Sequence, residues 1–226
     1  MKPSRRSEVA PFFVMEVMKA AATRQAAVGD VLHLEVGQPM TPAPAGAREA
    51  AQRAVEQDRL GYTAATGIDE LRERIAVHYR RTYGVAVPAD RIAVTIGASG
   101  GMLLALLAAF DEGQRIGITE PGYAAYRNMI AALGLDLVGI RVGPETRYVP
   151  TPEAIAAAGP LDGLVVASPS NPTGTVLTEA ELAAVVAHCD HHRIRLLSDE
   201  IYHGITYGPP ARSAAEHSDR AVVVQS

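Results

Sequence analysis

The chain has 226 residues, a formal net charge of −4 and 48% hydrophobic residues. This balance is typical of a globular protein, so it excludes a disordered or collagen-like chain, and the charge gives no sign of a nucleic-acid-binding surface. The single cysteine, Cys189, excludes an internal disulfide and favours a reducing compartment, so we expect a cytoplasmic protein.

The first residues predict an N-terminal helical arm. A basic start followed by an apolar stretch superficially suggests a secretory signal, but Glu16 and Lys19 interrupt the stretch. A helix beginning at Pro11 explains the segment better. A strand-like run at residues 31–36 and a proline-rich stretch at residues 40–46 follow. We therefore expect an arm with part of a small domain over residues 1–45, and a large domain over residues 46–226.

The rest of the chain alternates between short apolar runs and helical patterns. Two helical patterns come first, at residues 45–58 and 68–83. The apolar runs lie at residues 92–96, 115–119, 135–142, 163–167, 194–198 and 221–225, and the later helical patterns lie at residues 100–110, 123–133, 152–158 and 178–192. Continuous apolar strands that alternate with helices are typical of a parallel sheet covered on both faces. The predicted fold class is α/β, a three-layer αβα arrangement with a mainly parallel sheet. No run approaches the roughly 20 apolar residues that a membrane helix needs.

Residues that could bind a ligand follow four of the predicted strands. Parallel sheets bind their ligands at this carboxyl end of the strands. The glycine-rich segment 97–101 either forms a tight turn or binds an anion through its backbone, and it lacks the lysine of a nucleotide P-loop. Tyr123 either packs in the core or stacks on a flat ligand. Asn171 either shapes an Asn-Pro turn or donates to a ligand oxygen. Asp199 is either solvated or partly buried beside a cationic partner, and Tyr202 shares its side if the segment turns helically.

Histidines cluster at the end of the helical pattern at residues 178–192. His188 and His192 have the i, i+4 spacing that a metal can use. No carboxylate pattern or second cysteine accompanies them, and helix ends favour histidine in any case. We predict no metal site.

The order of these segments resembles the class I/II, fold-type I pyridoxal-phosphate-dependent aminotransferases, of the aspartate aminotransferase type. The resemblance extends from the helix at Pro11 to Ser226. Its most specific segments are Val-Gly-Gln-Pro at residues 36–39, Gly-Tyr-Thr at residues 61–63 with Gly67, Ser-Asn-Pro-Thr-Gly at residues 170–174 and Ser-Asp-Glu-Ile-Tyr at residues 198–202. It implies an enzyme that moves an amino group between an amino acid and a 2-oxo acid, with pyridoxal 5′-phosphate as cofactor. It also implies a homodimer, and nothing in it implies a nucleic-acid or membrane partner.

The resemblance implies roles for the residues around the cofactor ring. Asp199 corresponds to the carboxylate that binds the pyridine nitrogen and keeps it protonated. Asn171 and Tyr202 correspond to the donors to the phenolic oxygen of the ring, and Tyr123 corresponds to the aromatic residue stacked on it. Tyr123 and Asn171 also belong to the expected substrate site.

Further implied contacts lie at the phosphate and at the substrate carboxylate. Tyr62 corresponds to a tyrosine that reaches the cofactor phosphate of a partner subunit, and Gly37 corresponds to a backbone contact with the substrate carboxylate. Both residues also suit turn packing. The phosphate-binding turn corresponds to Ala98, Ser99 and Gly100.

The central lysine of the family, which bonds covalently to the cofactor, has no counterpart in this sequence. Lys2 and Lys19 are the only lysines, and neither matches it. The resemblance places that lysine just beyond Ser226, together with the substrate-binding arginine and the C-terminal small domain. We therefore expect the N-terminal part of an aminotransferase, inactive as a 226-residue chain.

Other interpretations stay open. The chain could be a catalytically dead remnant, a non-enzymatic cofactor-binding fragment, or part of a fold-type I lyase, since one scaffold supports several reactions. The adjacent coding sequence would distinguish a fragment from a true short product. The substrate is not readable from the residues. Tyr123 stands where some aspartate-specific members have tryptophan, which argues against aspartate.

Overall fold

The computed structural model describes residues 2–38 and 41–226, which form two compact units. The larger unit consists of two parts of the chain, the N-terminal residues that end at Ala10 and the segment Thr66–Ser226. The smaller unit is Pro11–Ala65. Neither limit coincides with the predicted domain boundary at residue 45, and that domain assignment stays a prediction. The side chains of the expected site fall into both units, so each unit is described by itself.

The smaller unit contains two helices, α1 (Phe13–Val28) and α2 (Ala45–Gln57). None of its described residues is buried. Helix α1 ends at Gly29, whose φ of 75° lets its amide bond to the Gln25 carbonyl. The strand expected at residues 31–36 is wrong, because these residues pair with no other strand among those described. A strand-like sequence becomes a strand only where a neighbour accepts its ladder hydrogen bonds.

The larger unit is built on a five-stranded parallel sheet of order β2-β1-β3-β4-β5. The strands are β1 (Arg115–Glu120), β2 (Asp136–Arg141), β3 (Gly163–Ala167), β4 (Arg195–Asp199) and β5 (Val222–Val224). The central strand β3 is apolar throughout because both of its faces are covered, as parallel sheets require. At the end of β4, Asp199 is in register with Val224 of β5.

Helices cover both faces of this sheet. The covering helices are α4 (Gly97–Ala109), α5 (Ala125–Ala132), α6 (Pro152–Ala157) and α7 (Glu179–His192), and they come after a further helix, α3 (Asp69–Tyr83). Side chains of β3 alternate between two core clusters: Leu164 packs in the cluster with α6 and α7, and Val165 packs in the cluster with α4 and α5. Both side chains are at most 1% exposed. The expected three-layer α/β fold is confirmed.

The strand expected at residues 92–96 is also wrong. The Val94 amide donates to the Thr66 carbonyl at 2.9 Å, and no strand in the described part of the chain pairs with this segment. Helix α4 begins at Gly97, whose φ is 69°, rather than at Gly100. The glycine-rich segment therefore forms the first turns of a helix and not a turn before it. No helix of residues 2–38 and 41–226 has the length and apolar character needed to cross a membrane.

Candidate functional site

A cleft with an empty volume of about 480 Å³ opens where β3 and β4 end and where α4 and α5 begin. Ligands of open parallel sheets bind at this edge, because the chain leaves each strand there in a loop. The lining residues are Ala98, Ser99, Met102, Tyr123, Tyr126, Met129, Ala167, Asn171, Asp199, Ile201 and Tyr202.

Two loops that follow neighbouring strands bring their polar side chains together in this cleft. The loop after β3 is fixed at its first residue: the Ser168 amide donates to the Asp199 carbonyl at 3.0 Å, and the Ser168 hydroxyl accepts from the Leu177 amide at 3.0 Å. Three residues later, the Asn171 amide group donates to the Tyr202 hydroxyl at 3.4 Å. Asn171 and Tyr202 therefore meet although 31 residues separate them.

Asp199 is the charged centre of the cleft. Only 7% of the residue is exposed. Its Oδ2 accepts a short hydrogen bond from the Tyr126 phenol, and its Oδ1 accepts from the Ile201 amide at 3.2 Å. Burial raises the pKa of the Asp199 carboxyl, while the bonds from Tyr126 and Ile201 act in the opposite direction. No arginine, lysine or histidine among the described residues forms an ion pair with Asp199. A cationic donor entering the cleft would supply the missing partner.

Two tyrosines form the aromatic wall of the cleft. The rings of Tyr123 and Tyr126 meet edge to face, with centroids 5.3 Å apart and planes at 82°. Burial raises the pKa of both phenols, so both remain protonated donors at neutral pH. Tyr126 donates to Asp199, and Tyr123 hydrogen-bonds Ser99. The half-buried Tyr123 ring borders the space into which a flat ligand would fit.

The start of α4 closes the cleft at the end that Ala98 and Ser99 line. Amides in the first turn of a helix have no acceptor in the preceding turn. Together with the helix dipole they favour an anion, such as a phosphate group. Gly100, which the sequence also suggested for this role, is in the same helical turn but does not line the cleft.

Six of the residues expected from the sequence thus line one cleft: Ala98, Ser99, Tyr123, Asn171, Asp199 and Tyr202. Tyr62 and Gly37 belong to the smaller unit, where both are exposed. Their roles, like those of the cleft residues, stay predictions.

Sequence reasoning missed Tyr126, the residue that bonds directly to Asp199. Its spacing of three from Tyr123 within a predicted helix was the available signal, since residues three apart lie on one helical face. Met102, Met129, Ala167 and Ile201 line the cleft through apolar atoms and carried no such signal.

The histidine cluster lies elsewhere in the larger unit. His188 and His192 stack at the end of α7, with ring centroids 4.4 Å apart, and β4 begins three residues after the helix ends. This is the amino edge of the sheet, whereas the cleft is at the carboxyl edge. Within residues 2–38 and 41–226, no group of three or more histidine, cysteine, aspartate or glutamate side chains could hold a metal ion.

The cleft combines a buried carboxylate, a pair of amide and phenol donors, an aromatic wall and a helix start. These groups suit a flat aromatic ligand that carries a basic ring nitrogen, a ring oxygen and an anionic group. Asp199 is the most demanding of these features, because a buried carboxylate without a cationic partner is costly even when it accepts hydrogen bonds.

Comparisons with known proteins agree on one family. Residues 29–226 match the model of the family described as aminotransferase class I and II. The valine–pyruvate aminotransferase of Mycobacterium tuberculosis is 50% identical over 224 residues, which cover 98% of this chain and 58% of that protein. The chain thus spans about half the length of the curated relatives it matches.

Solved structures give the same result for the fold. A crystal structure of an aminotransferase from Mycobacterium tuberculosis superposes with a TM-score of 0.95 at 48% identity. The superposition covers all of this chain and 59% of the Mycobacterium tuberculosis chain. The aspartate aminotransferase from Thermus thermophilus with maleate also superposes with a TM-score of 0.95, at 30% identity, over all of this chain and 60% of its own.

Proposed function

Because this chain belongs to the aminotransferase class I and II family, whose members depend on pyridoxal 5′-phosphate, we propose that its cleft is the binding site for that cofactor. The observation that carries the proposal is the buried carboxylate of Asp199, which borders the cleft without a cationic partner among the described residues. When bound, pyridoxal phosphate withdraws electrons from the α-carbon of the substrate, which makes the proton on that carbon removable.

The residues of the cleft have separate tasks in this proposal. Asp199 pairs with the protonated ring nitrogen and keeps that proton in place. Tyr126 orients the Asp199 carboxylate through its phenol. Asn171 and Tyr202, which meet at 3.4 Å, donate to the phenolic oxygen of the cofactor. Tyr123 supports one face of the ring.

The phosphate group is assigned to the start of α4. The amides of Ala98 and Ser99, with the Ser99 hydroxyl, are the donors that border the cleft there, and we keep the backbone of Gly100 as a further donor. The dipole of the 13-residue helix adds to this attraction. Met102 and Met129 add apolar side chains to the lining of the cleft.

The reaction proposed for the whole protein is transfer of an amino group between an amino acid and a 2-oxo acid. The chain covers 58% of its 50%-identical relative, so we propose that it is the N-terminal part of such an enzyme. Lys2 and Lys19, its only lysines, lie outside the cleft-lining set, and the lysine that bonds the cofactor is expected downstream. The 226 residues alone are then inactive.

The name of the 50%-identical relative favours valine and pyruvate as a substrate pair over aspartate. Tyr123, in the position where some aspartate-specific members have tryptophan, supports the same choice. Substrate binding in this proposal uses Tyr123, Asn171 and the backbone of Gly37.

The proposal further includes a cytoplasmic homodimer. In the dimer, Tyr62 of one subunit reaches the cofactor phosphate of the other. The free Cys189, which is 1% exposed and has no second cysteine to pair with, is compatible with a reducing compartment.

Cofactor binding tests the proposal. The protein is expressed with all residues that its gene encodes, and in parallel as residues 1–226, and both are incubated with pyridoxal phosphate and reduced with borohydride. We expect a permanently attached cofactor in the longer protein only, found by mass spectrometry of its peptides. If downstream residues encode no such lysine, or if neither protein binds the cofactor reversibly, the proposed function is wrong.

The substrate assignment has its own measurement. Amino-group transfer to pyruvate is followed for the longer protein with valine and with aspartate as alternative donors. We expect valine to give the higher kcat/KM. A higher value for aspartate would contradict the substrate assignment but leave the cofactor assignment intact.

A further inference from the structure

The side chain of His203 does not line the cleft, but it joins two loops that carry cleft residues. It follows Tyr202 directly in the turn after β4, and only 3% of it is exposed. We infer that His203 is a positioning residue, which holds the loop carrying Asn171 against the turn carrying Tyr202. The inference deepens the proposed function and rests on it.

The first contact of His203 is with the loop after β3. Its Nε2 lies 3.0 Å from the carbonyl oxygen of Ser168. Ser168 is the residue at which this loop leaves the sheet, and its amide and hydroxyl are already held by Asp199 and Leu177. The histidine bond therefore fixes the remaining polar atom of Ser168, three residues before Asn171.

The second contact of His203 is with helix α3. Its Nδ1 lies 2.7 Å from the hydroxyl of Tyr83, and that hydroxyl accepts from the Gln225 side chain at 3.1 Å. Gln225 follows the last residue of β5. The imidazole thus links the end of α3 and the end of β5 to the two loops of the cleft.

The partners of the ring determine the direction of these hydrogen bonds. A carbonyl oxygen only accepts, so Nε2 of His203 must carry a hydrogen. Burial lowers the pKa of His203, which favours the neutral ring, although the bond to the Ser168 carbonyl opposes this. In the neutral ring Nδ1 is an acceptor, and the Tyr83 phenol donates to it. Among the described residues, the carboxylate that lies within 4.0 Å of Nδ1 is that of Glu200, whose Oε2 lies at 3.7 Å.

The hydrogen bond between Asn171 and Tyr202 is longer, and therefore weaker, than the bond from His203 to Ser168. Asn171 and Tyr202 meet through two side chains at 3.4 Å, in a partly buried position. The bond from His203 is shorter and ends on backbone that is itself fixed at two other atoms. The spacing between the Asn171 and Tyr202 donors, on which the ring oxygen of the cofactor depends, is therefore set by His203.

Three substitutions separate the contacts of the ring. His203→Gln keeps an N–H donor at about the reach of Nε2, and so can keep the bond to Ser168. His203→Asn keeps an acceptor at about the reach of Nδ1, and so can keep the bond from Tyr83 while it loses the bond to Ser168. Tyr83→Phe removes the phenol and leaves the ring and its bond to Ser168.

The readouts are the Kd for pyridoxal phosphate, from equilibrium dialysis of the cofactor-free protein expressed with all its encoded residues, and the pH midpoint of the absorbance of the bound cofactor. For His203→Asn we expect the Kd to rise about 3- to 10-fold, as for one lost hydrogen bond, and the midpoint to move to higher pH. For His203→Gln and Tyr83→Phe we expect a Kd within about twofold of the unsubstituted protein.

A third readout needs no cofactor. Amide hydrogen exchange of the peptide covering residues 168–174 should speed up in His203→Asn and not in His203→Gln. If all three variants lower the Tm but leave the Kd, the midpoint and this exchange unchanged, His203 is only structural and the inference is wrong. If the exchange result holds while no variant or parent binds the cofactor, the loop is positioned as inferred but the proposed function fails.

Discussion

Asp199 and Glu200 are consecutive buried carboxylates at the end of β4, and they face different surroundings. Asp199 borders the cleft and accepts from the Tyr126 phenol and the Ile201 amide. Glu200 is 1% exposed and does not line this cleft. Its Oε1 accepts from the Ser198 hydroxyl at 2.9 Å and from the Ala214 amide at 2.8 Å.

The difference shows that burial alone does not identify a functional acid. Burial raises the pKa of both carboxyls, and that of Glu200 reaches about 7. What separates them is the space beyond the carboxylate: a ligand can reach Asp199, whereas the chain itself encloses Glu200. We therefore expect substitution of Glu200 to change stability and substitution of Asp199 to change cofactor binding.

The largest expected effect belongs to Glu200→Gln, measured as the free energy of unfolding against pH. The pKa of Glu200 rises from 4.5 to about 7 on folding, so the folded state binds a proton that the unfolded state releases between these values. This contribution to stability is complete below pH 4.5 and is lost as the pH rises through 7. A shift of this size is worth about 3 kcal/mol.

Glutamine has no proton to lose, so the variant should lack this part of the pH dependence. Urea denaturation at about pH 4 and pH 8 should show the variant gaining about 3 kcal/mol relative to the unsubstituted protein over that interval. Parallel pH profiles for the two proteins would mean that Glu200 is not buried as described.

The next effect is that of Asp199→Asn on cofactor affinity. The substitution keeps the size of the side chain and removes its charge, so a charge-assisted hydrogen bond worth about 1.5–3 kcal/mol is lost. The Kd for pyridoxal phosphate should rise roughly 10- to 150-fold, measured by equilibrium dialysis. Glu200→Gln is the matched control, since it makes the same change from carboxyl to amide at the neighbouring residue. Equal loss of affinity in both variants would break the distinction between the two acids.

The smallest effect is expected for Tyr126→Phe, which removes the phenol that donates to Asp199. The lost neutral hydrogen bond predicts a Kd for pyridoxal phosphate about 2- to 10-fold higher. The phenol lowers the pKa of Asp199, so its removal raises that pKa. On acidification, the variant should therefore lose its affinity for pyridoxal phosphate at a higher pH than the unsubstituted protein. Tyr207→Phe, at an exposed position, is the control for the substitution itself. An unchanged pH profile in Tyr126→Phe would show that the phenol does not orient Asp199.

The sequence predicted the sheet where its strands are continuous apolar runs. Strands β3 and β4 lie within one residue of their predicted limits, because burial on both faces makes β3 apolar throughout and places Leu196 and Leu197 in the middle of β4. Helix α7 also begins where expected, since Thr178 and Glu181 form a reciprocal capping box at its start.

The wrong predictions share one physical cause: the structure of each segment depends on residues that are far away in the sequence. Residues 31–36 and 92–96 have strand-like composition but no pairing strand among the described residues, and a local pattern cannot reveal that. Tyr126 was missed for the same reason: its partner, Asp199, is 73 residues away. Four of the six cleft residues were predictable as neighbours because they end or follow strands β1, β3 and β4 at one edge of the sheet: Tyr123, Asn171, Asp199 and Tyr202. Ala98 and Ser99 begin α4, which no strand precedes among the described residues.

The register at the end of β5 affects how this polypeptide should be produced. Val224 is paired with Asp199, so residues 225 and 226 emerge at the same edge of the sheet as the cleft. A purification tag or fluorescent protein fused after Ser226 would begin beside β4, the strand that carries Asp199. It would then obstruct the access of a ligand to the Asp199 carboxylate. For binding measurements on residues 1–226, any fusion should therefore be placed at the amino terminus.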